Sequence, residues 1–274
     1  MKNCKICCLY SGSHGNCAYI SAGGANILID AGKSARALCS ALSKANIDIS
    51  SIDAIFITHD HRDHTLALQT LSHKHQIPIH MLLTSAEAFR GLDDERLFNC
   101  FYLYPGKQFE AHVKGLKIKA FPTMHDSMAS VGYRLTFTGD DGKEYSIGYA
   151  TDLGVVTDEV KDGLCGCFAA VVESNHDEDM LIKGPYPIEV KKRIHSRLGH
   201  LSNVQSAELI ALMHKSGTRH VMLAHLSEEN NTEELALCEV RSVIADEGFN
   251  LKAARQDEAV WLIGGECDCD GVGR

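Results

Sequence analysis

Residues 58–64 read Thr-His-Asp-His-Arg-Asp-His, an H-x-H-x-D-H pattern that packs five metal-capable side chains into one short stretch. Imidazole suits zinc, iron and manganese, and a carboxylate can complete or share such a site. Ser51 to Ile57, just before it, is apolar and β-prone, and Leu68 and Leu71 follow His64 at a helical spacing. The cluster therefore belongs on a strand-to-helix turn, where a short loop presents side chains from a rigid base. A merely solvated loop is a poor account of ligand types this dense and in this order.

A two-metal centre needs more ligands than one loop supplies. Three more are in place after strand-like segments: His125 after Ile118 to Phe121, Asp152 after the strand ending at Ala150, and His225 after His220 to Ala224. Carboxyl ends of strands in α/β sheets are where sites collect. A shared carboxylate and a shared hydroxide can hold two divalent ions about 3.5–4 Å apart, lowering the pKa of the bound water toward neutrality. One ion can also polarise the electrophile and stabilise oxyanion charge.

Strand-like and helix-like segments alternate, which makes the class α/β. Strands are expected at Ala25–Asp30, Ile77–Leu83, Lys117–Phe121, Val131–Phe137, Glu144–Ala150, Phe168–Val172 and His220–Ala224, with two more near Leu251 and Val260. Helices are expected at Ser34–Asn46, with Ser34 as N-cap, at Val204–Lys215 and at Thr232–Glu247. Asp140-Asp141-Gly142 makes a hairpin turn. No low-complexity linker or short repeat divides the chain. One domain over 1–264 is expected, followed by a disordered tail over 265–274 whose Cys267-Asp268-Cys269 is weak support for a metal site.

The chain has 274 residues, 45% of them hydrophobic, and a formal net charge of −9. That charge argues against broad attraction to nucleic acid without excluding a local basic groove. Lys183, Lys191, Lys192, Arg193 and Arg197 form one basic cluster, and Lys191, Lys192 and Arg193 are the expected substrate-binding residues. A solvated helix face would look the same. No apolar run approaches a membrane span, and no signal-peptide core opens the chain. Eleven cysteines, an odd number without an export signal, point to reduced thiols and the cytoplasm.

The H-x-H-x-D-H loop followed by His125, Asp152 and His225 resembles the metallo-β-lactamase-fold hydrolases over nearly all of residues 1–264. The resemblance implies a four-layer αββα sandwich with the metals at one edge. It also implies that His59, His61 and His125 hold one ion, that Asp63, His64 and His225 hold the other, and that Asp152 bridges them. Asp63 is counted with the catalytic residues too, and Asp30 resembles an acidic residue that supports the metal loop. The oxygen-reducing diiron branch usually carries glutamate where His61 stands, so hydrolysis is favoured. Many true β-lactamases carry cysteine where Asp152 stands, whereas aspartate resembles the phosphodiesterase and thioesterase branches.

Gly199-His200-Leu201-Ser202-Asn203 precedes a helix, and Ser202 with Gln205 fits a capping box. A helix N-terminus favours anions. The segment resembles that of transfer-RNA 3′-processing nucleases, which implies that His200 helps protonate the leaving group and that Glu173 orients it. The alternative for His200 is a capping surface residue. His176 is divided between a supporting role behind the site and a solvated loop. Ser11-Gly12-Ser13-His14-Gly15-Asn16, THDHRDH, SNHD from Ser174, GHLSN and LAHLSEENN from Leu223 together resemble the WalJ (YycJ) family, which implies 5′-to-3′ DNA exonuclease activity. His14 departs from the small residue expected there, and the glycines beside it admit a close anion or simply a β-turn. His73, His75, His80, His112, His195, His214 and His220 are read as surface or packed residues.

The leading expectation is thus a dinuclear phosphodiesterase acting on DNA, with zinc as default metal and manganese or iron as alternatives. A thioester or lactone hydrolase like glyoxalase II competes with it. Those relatives carry a helical domain for their thiol cofactor, and the residues from 226 to 274 are few for one. A non-catalytic metal-binding regulator is the third reading, opposed by the intact ligand set. Oligomeric state leaves no trace in the sequence.

Overall fold

The structure is a computed structural model, and it describes residues 3–88 and 95–265. The Cys267–Cys269 pair and most of the expected tail lie outside the described residues. The first half of the chain runs β1 (Lys5–Tyr10), β2 (Cys17–Ala22), β3 (Ala25–Ile29), α1 (Ala35–Lys44), β4 (Ala54–Phe56), α2 (Arg62–Thr65), α3 (Leu68–His75), β5 (Ile79–Leu82), α4 (Leu83–Ala88), α5 (Glu95–Phe98) and β6 (Phe101–Tyr104). The second runs β7 (Glu110–Val113), β8 (Leu116–Pro122), β9 (Val131–Thr138), β10 (Glu144–Ala150), α6 (Asp158–Leu164), β11 (Ala169–Glu173), α7 (Glu178–Lys183), α8 (Ile188–Ile194), α9 (Asn203–Lys215), β12 (His220–Ala224), α10 (Glu233–Val243), β13 (Asn250–Ala253) and β14 (Val260–Ile263).

Two seven-stranded sheets result, in the orders β14-β1-β2-β3-β4-β5-β6 and β13-β12-β11-β10-β9-β8-β7. Each is antiparallel on one side and parallel on the other: β3 to β6 are parallel neighbours, and so are β10 to β13. Alternation along the strands builds the layers, because successive side chains point to opposite faces. In β3, Ala25, Ile27 and Ile29 face the core between the sheets, while Leu28 faces α1 and α3. In β11, Ala169 and Val171 face inward, while Ala170 and Val172 meet α6, α9 and α10. The outcome is the four-layer αββα sandwich that the resemblance implied.

Several boundaries differ from expectation, for identifiable reasons. The helical pattern after His64 is broken into α2 and α3, because the Ala67 N–H donates to the Ala31 carbonyl, 2.9 Å away, instead of continuing one ladder. The last helix stops at Val243 rather than Glu247, and the chain turns so that Phe249 enters the core. The cysteine-rich N-terminal segment is a buried strand, β1. The cysteines among the described residues are free. No described helix is long and apolar enough to cross a membrane.

Candidate metal centre

The strand carboxyl ends converge on one rim of the sandwich. β3 delivers Asp30, and β4 delivers Thr58 and the His59–His64 loop. β8, β10, β11 and β12 deliver His125, Asp152, Glu173 and His225. Both sheets therefore contribute metal-capable side chains. Asp30, Asp152 and His225 adopt φ of 63°, 58° and 58°. Left-handed backbone is uncommon for such residues and clusters at functional sites. All three stand within two residues of a strand's carboxyl end. Gly32 is needed next to this corner: a Cβ on it would lie 1.5 Å from the Asp63 carbonyl oxygen.

The ligand atoms of His59, His61 and His125 lie within 4.8 Å of one another, and so do those of Asp63, His64 and His225. Asp152 reaches both groups. Its Oδ1 is 3.6 Å from His125 Nε2 and 3.5 Å from His225 Nε2, and its Oδ2 is 3.4 Å from His64 Nε2. His59 Nε2, His225 Nε2 and Asp152 Oδ2 are buried without hydrogen-bond partners. Buried polar atoms are seldom left unpaired, so donors aimed at one another this way fit divalent ions.

The outer faces of the rings are tied down. Asp30 accepts from the Thr58 N–H at 2.9 Å and lies 2.8 Å from His64 Nδ1, both side chains being fully buried. Such contacts fix the tautomer and orientation of a ligand imidazole. Burial raises the Asp30 carboxyl, even though His64 and Thr58 pull it down. Burial likewise opposes charge on Asp152, but His225, His64, His125 and His59 hold its carboxyl well below the usual range. Burial disfavours a charged His225, and Asp152 and Glu173 lift its imidazole to about 9. Burial holds His59 well below the ordinary histidine value.

Glu173 does more than the sequence suggested. Its Oε1 lies 2.8 Å from His200 Nδ1 and 3.0 Å from His225 Nδ1, so one carboxylate oxygen orients both rings. Its Oε2 accepts from the N–H groups of Leu153 at 2.8 Å and Leu201 at 3.0 Å. Glu173 also lies among Asp152, His200 and His225 as a metal-capable group. Both of its oxygens are already engaged by these rings and by backbone N–H groups. Burial alone would raise its carboxyl, and His200 and His225 bring it down to about 2.

His200 sits between the two halves, its ring centroid 5.1 Å from those of both His125 and His225. The capping box of α9 is present: Ser202 Oγ accepts from the Gln205 N–H and Gln205 Oε1 from the Ser202 N–H. A Cβ on Gly199 would meet the Ile194 carbonyl oxygen at 2.1 Å, so α8 and the His200 segment touch backbone to backbone.

Other expected residues stand around this cluster. The His176 ring is wholly buried, but neither nitrogen has a hydrogen-bond partner. Only its backbone is engaged, bridging to Ser202. Lys191 Nζ donates to the carbonyls of Ile182 and Gly184, both at 2.7 Å. Arg193 Nε donates to Asp126 Oδ2 at 2.6 Å, one residue from His125. Lys192 is exposed on α8.

Sequence reading missed the amides and hydroxyls behind the second ligand group. Asn16 Nδ2 donates to Asp63 Oδ2 at 3.3 Å, and Ser11 Oγ accepts from the His225 N–H at 2.7 Å. Asn175 Nδ2 donates to the His225 carbonyl at 2.8 Å. The glycine-rich loop from Ser11 to Asn16 thus clamps Asp63 and His225. The sequence marked Ser11–Asn16 and SNHD from Ser174 as motifs, without showing that Ser11, Asn16 and Asn175 brace Asp63 and His225. His14 is exposed, its Nε2 3.4 Å from Glu228.

A family model described as the beta-lactamase superfamily domain matches residues 25–226. With the sandwich and the converging histidines, this defines a metal-dependent hydrolase of the metallo-β-lactamase fold. Exodeoxyribonuclease YycJ of Bacillus anthracis is 33% identical over 251 residues, covering 90% of this chain and 91% of that protein. Exodeoxyribonuclease WalJ of Streptococcus pneumoniae is 33% identical over 237 residues, covering 85% of each. The chain belongs to this YycJ/WalJ family. The metallo-β-lactamase-fold protein YhfI of Bacillus subtilis superposes with a TM-score of 0.71 at 15% identity, covering 95% of this chain and 100% of that one; that likeness speaks to the fold alone.

Proposed function

We propose that the chain is a two-metal phosphodiesterase that degrades DNA from 5′ to 3′. The observation that carries the chemistry is the shared reach of Asp152 into both histidine groups, with His200 and its Glu173 partner poised between them. Two divalent ions bound there would supply Lewis acidity and a water acidic enough to ionise near neutral pH. Ligand chemistry favours zinc, with manganese or iron as alternatives. His59, His61 and His125 would hold one ion, Asp63, His64 and His225 the other, and Asp152 both.

The chain's own residues handle the proton. Glu173 takes His200 Nδ1, which leaves Nε2 to a substrate oxygen and places His200 to pass a proton to the leaving group. DNA as substrate rests on the names of the YycJ and WalJ relatives and on Lys192, exposed on α8 next to the Arg193 that holds Asp126. The free cysteines fit a reducing compartment such as the cytoplasm. The test is turnover by metal-quantified protein of 5′-phosphorylated single-stranded DNA, an RNA precursor, a generic phosphodiester and a thioester. Preference for the thioester would overturn the phosphodiesterase reading. Preference for RNA would overturn DNA alone.

A further inference from the structure

A cavity of about 290 Å³ opens directly beside His125, between the end of β5 and the loop that follows β8. Its walls include Leu82, Met124, Met128 and Leu198. Met128 is 62% exposed, Leu198 43% and Met124 37%. Single exposed apolar residues are ordinary on protein surfaces. Three that converge on one hollow, against a metal-ligand histidine, form a contact surface.

The hollow is built from the same segments as the site. The Met128 N–H donates to Asp60 Oδ1 at 3.1 Å, which fixes the methionine loop to the metal loop. The Gly154 N–H donates to the Met124 carbonyl at 2.8 Å, two residues past Asp152. Leu198 stands two positions before His200, and the Gly199 carbonyl between them lies 3.2 Å from His125 Nδ1. A group in this hollow therefore keeps a fixed relation to His125 and His200.

Its lining also states what that group is. Among the described residues no carboxylate lines it, in a chain of net charge −9, and Lys107 is the charged side chain there beyond the ring of His125. Ser127 Oγ is buried there without a hydrogen-bond partner. Thioethers are polarisable and make favourable contacts with ring systems. The opening suits a flat ring attached to an anionic group.

We infer that this hollow holds a nucleobase of the strand being cut, gripping its faces between Met128, Met124 and Leu198 while the adjoining phosphate meets the metals. The inference rests on the phosphodiesterase reading and adds to it a base subsite. Apolar grip on a ring face discriminates little among bases, because every base offers one. It does distinguish a nucleotide from a bare sugar phosphate, and that makes it an aid to processing DNA of any sequence.

Calorimetric titration of the metal-loaded protein with dAMP, dTMP and 2-deoxyribose 5-phosphate tests the subsite without relying on turnover. Both nucleotides should bind about tenfold more tightly than the sugar phosphate, a factor worth ~1.4 kcal/mol. The Met128→Ser/Leu198→Ala double variant should lose that advantage and keep the sugar-phosphate affinity of the wild type, which also shows that it is folded. Equal affinities in the wild type, or an advantage that survives in the variant, overturn the subsite. DNA cleavage is scored separately. A protein that favours nucleotides but cuts no DNA keeps the subsite and loses the nuclease assignment. One that cuts normal and abasic-ended DNA equally well loses the subsite and keeps the nuclease.

Discussion

Replacing Asp152 by alanine removes the one carboxylate within reach of both histidine groups, so ion content should fall from two per chain toward one or none. Elemental analysis of wild type and variant checks this, and a wild type that stays metal-free after supplementation would sink the two-ion reading. His200→Ala should behave differently. It is tied to Glu173 and contributes no atom to either histidine triad, so its metal content should stay normal while turnover falls roughly 10²–10⁴-fold. A substrate with a very good leaving group should suffer much less. Loss of metal in this variant would make His200 a ligand instead. At this scale the sequence was legible where chemistry restricts residue types. Histidine and aspartate at H-x-H-x-D-H spacing have few other uses, whereas Asn16, Ser11 and Asn175 are residues that serve equally well in any turn. Nothing in the letters reveals that Asp30, Asp152 and His225 take left-handed backbone, nor that one oxygen of Glu173 serves two rings.

Helix α8 illustrates how an element can divide its own charges. Lys191 closes the carbonyl end of α7 and Arg193 holds Asp126, so Lys192 is the cation most available to a polynucleotide. Lys192→Ala should weaken DNA cleavage and flatten its dependence on salt, because fewer counterions are released on binding. Lys191→Ala should chiefly loosen the α7–α8 corner, seen as a small drop in thermal midpoint. An unchanged salt slope for Lys192→Ala would leave α8 a solvated face. Strand β5 carries a second element-scale effect. His80 stacks on Phe56, with centroids 4.5 Å apart, and lies 2.8 Å from the Tyr104 hydroxyl. Burial pushes its imidazole down to about 4. The unfolded chain takes up a proton near the ordinary value of about 6.5. Between those values the unfolded state binds more protons than the native state, so stability falls as pH drops. The full effect of one such group is roughly 3 kcal/mol at about 1.4 kcal/mol per unit. Urea midpoints from pH 7 to 4 should fall for the wild type and fall less for His80→Phe, with His176, also near 4, supplying part of what remains. Equal slopes would refute this. Elements such as β3, β8 and α9 were legible because each pairs a period with a boundary signal. The α2–α3 break was not, since its cause is a carbonyl on Ala31, far away in sequence.

The whole molecule is two half-sandwiches facing each other across one apolar core, and alternation along the strands announces those layers well before any contact is known. Which strand lies next to which is not written in that alternation. The order within each sheet depends on crossovers, and β14 shows this most plainly: it comes last among the strands, yet it pairs antiparallel with β1 of the opposite half. The chain crosses between halves at the exposed residues 105–108, after β6, and returns with β14. A chain cut at 106–107 would therefore yield two pieces that each hold part of the ligand set, one with His59–His64 and one with His125, Asp152 and His225. Neither piece alone can assemble the centre. Mixed together they share a core face and an interlocked strand, so they should reassociate and regain turnover in proportion to complex formed, and deleting β14 from the second piece should weaken that recovery. The strand that closes the first sheet would then serve as the handle by which a severed enzyme is rejoined.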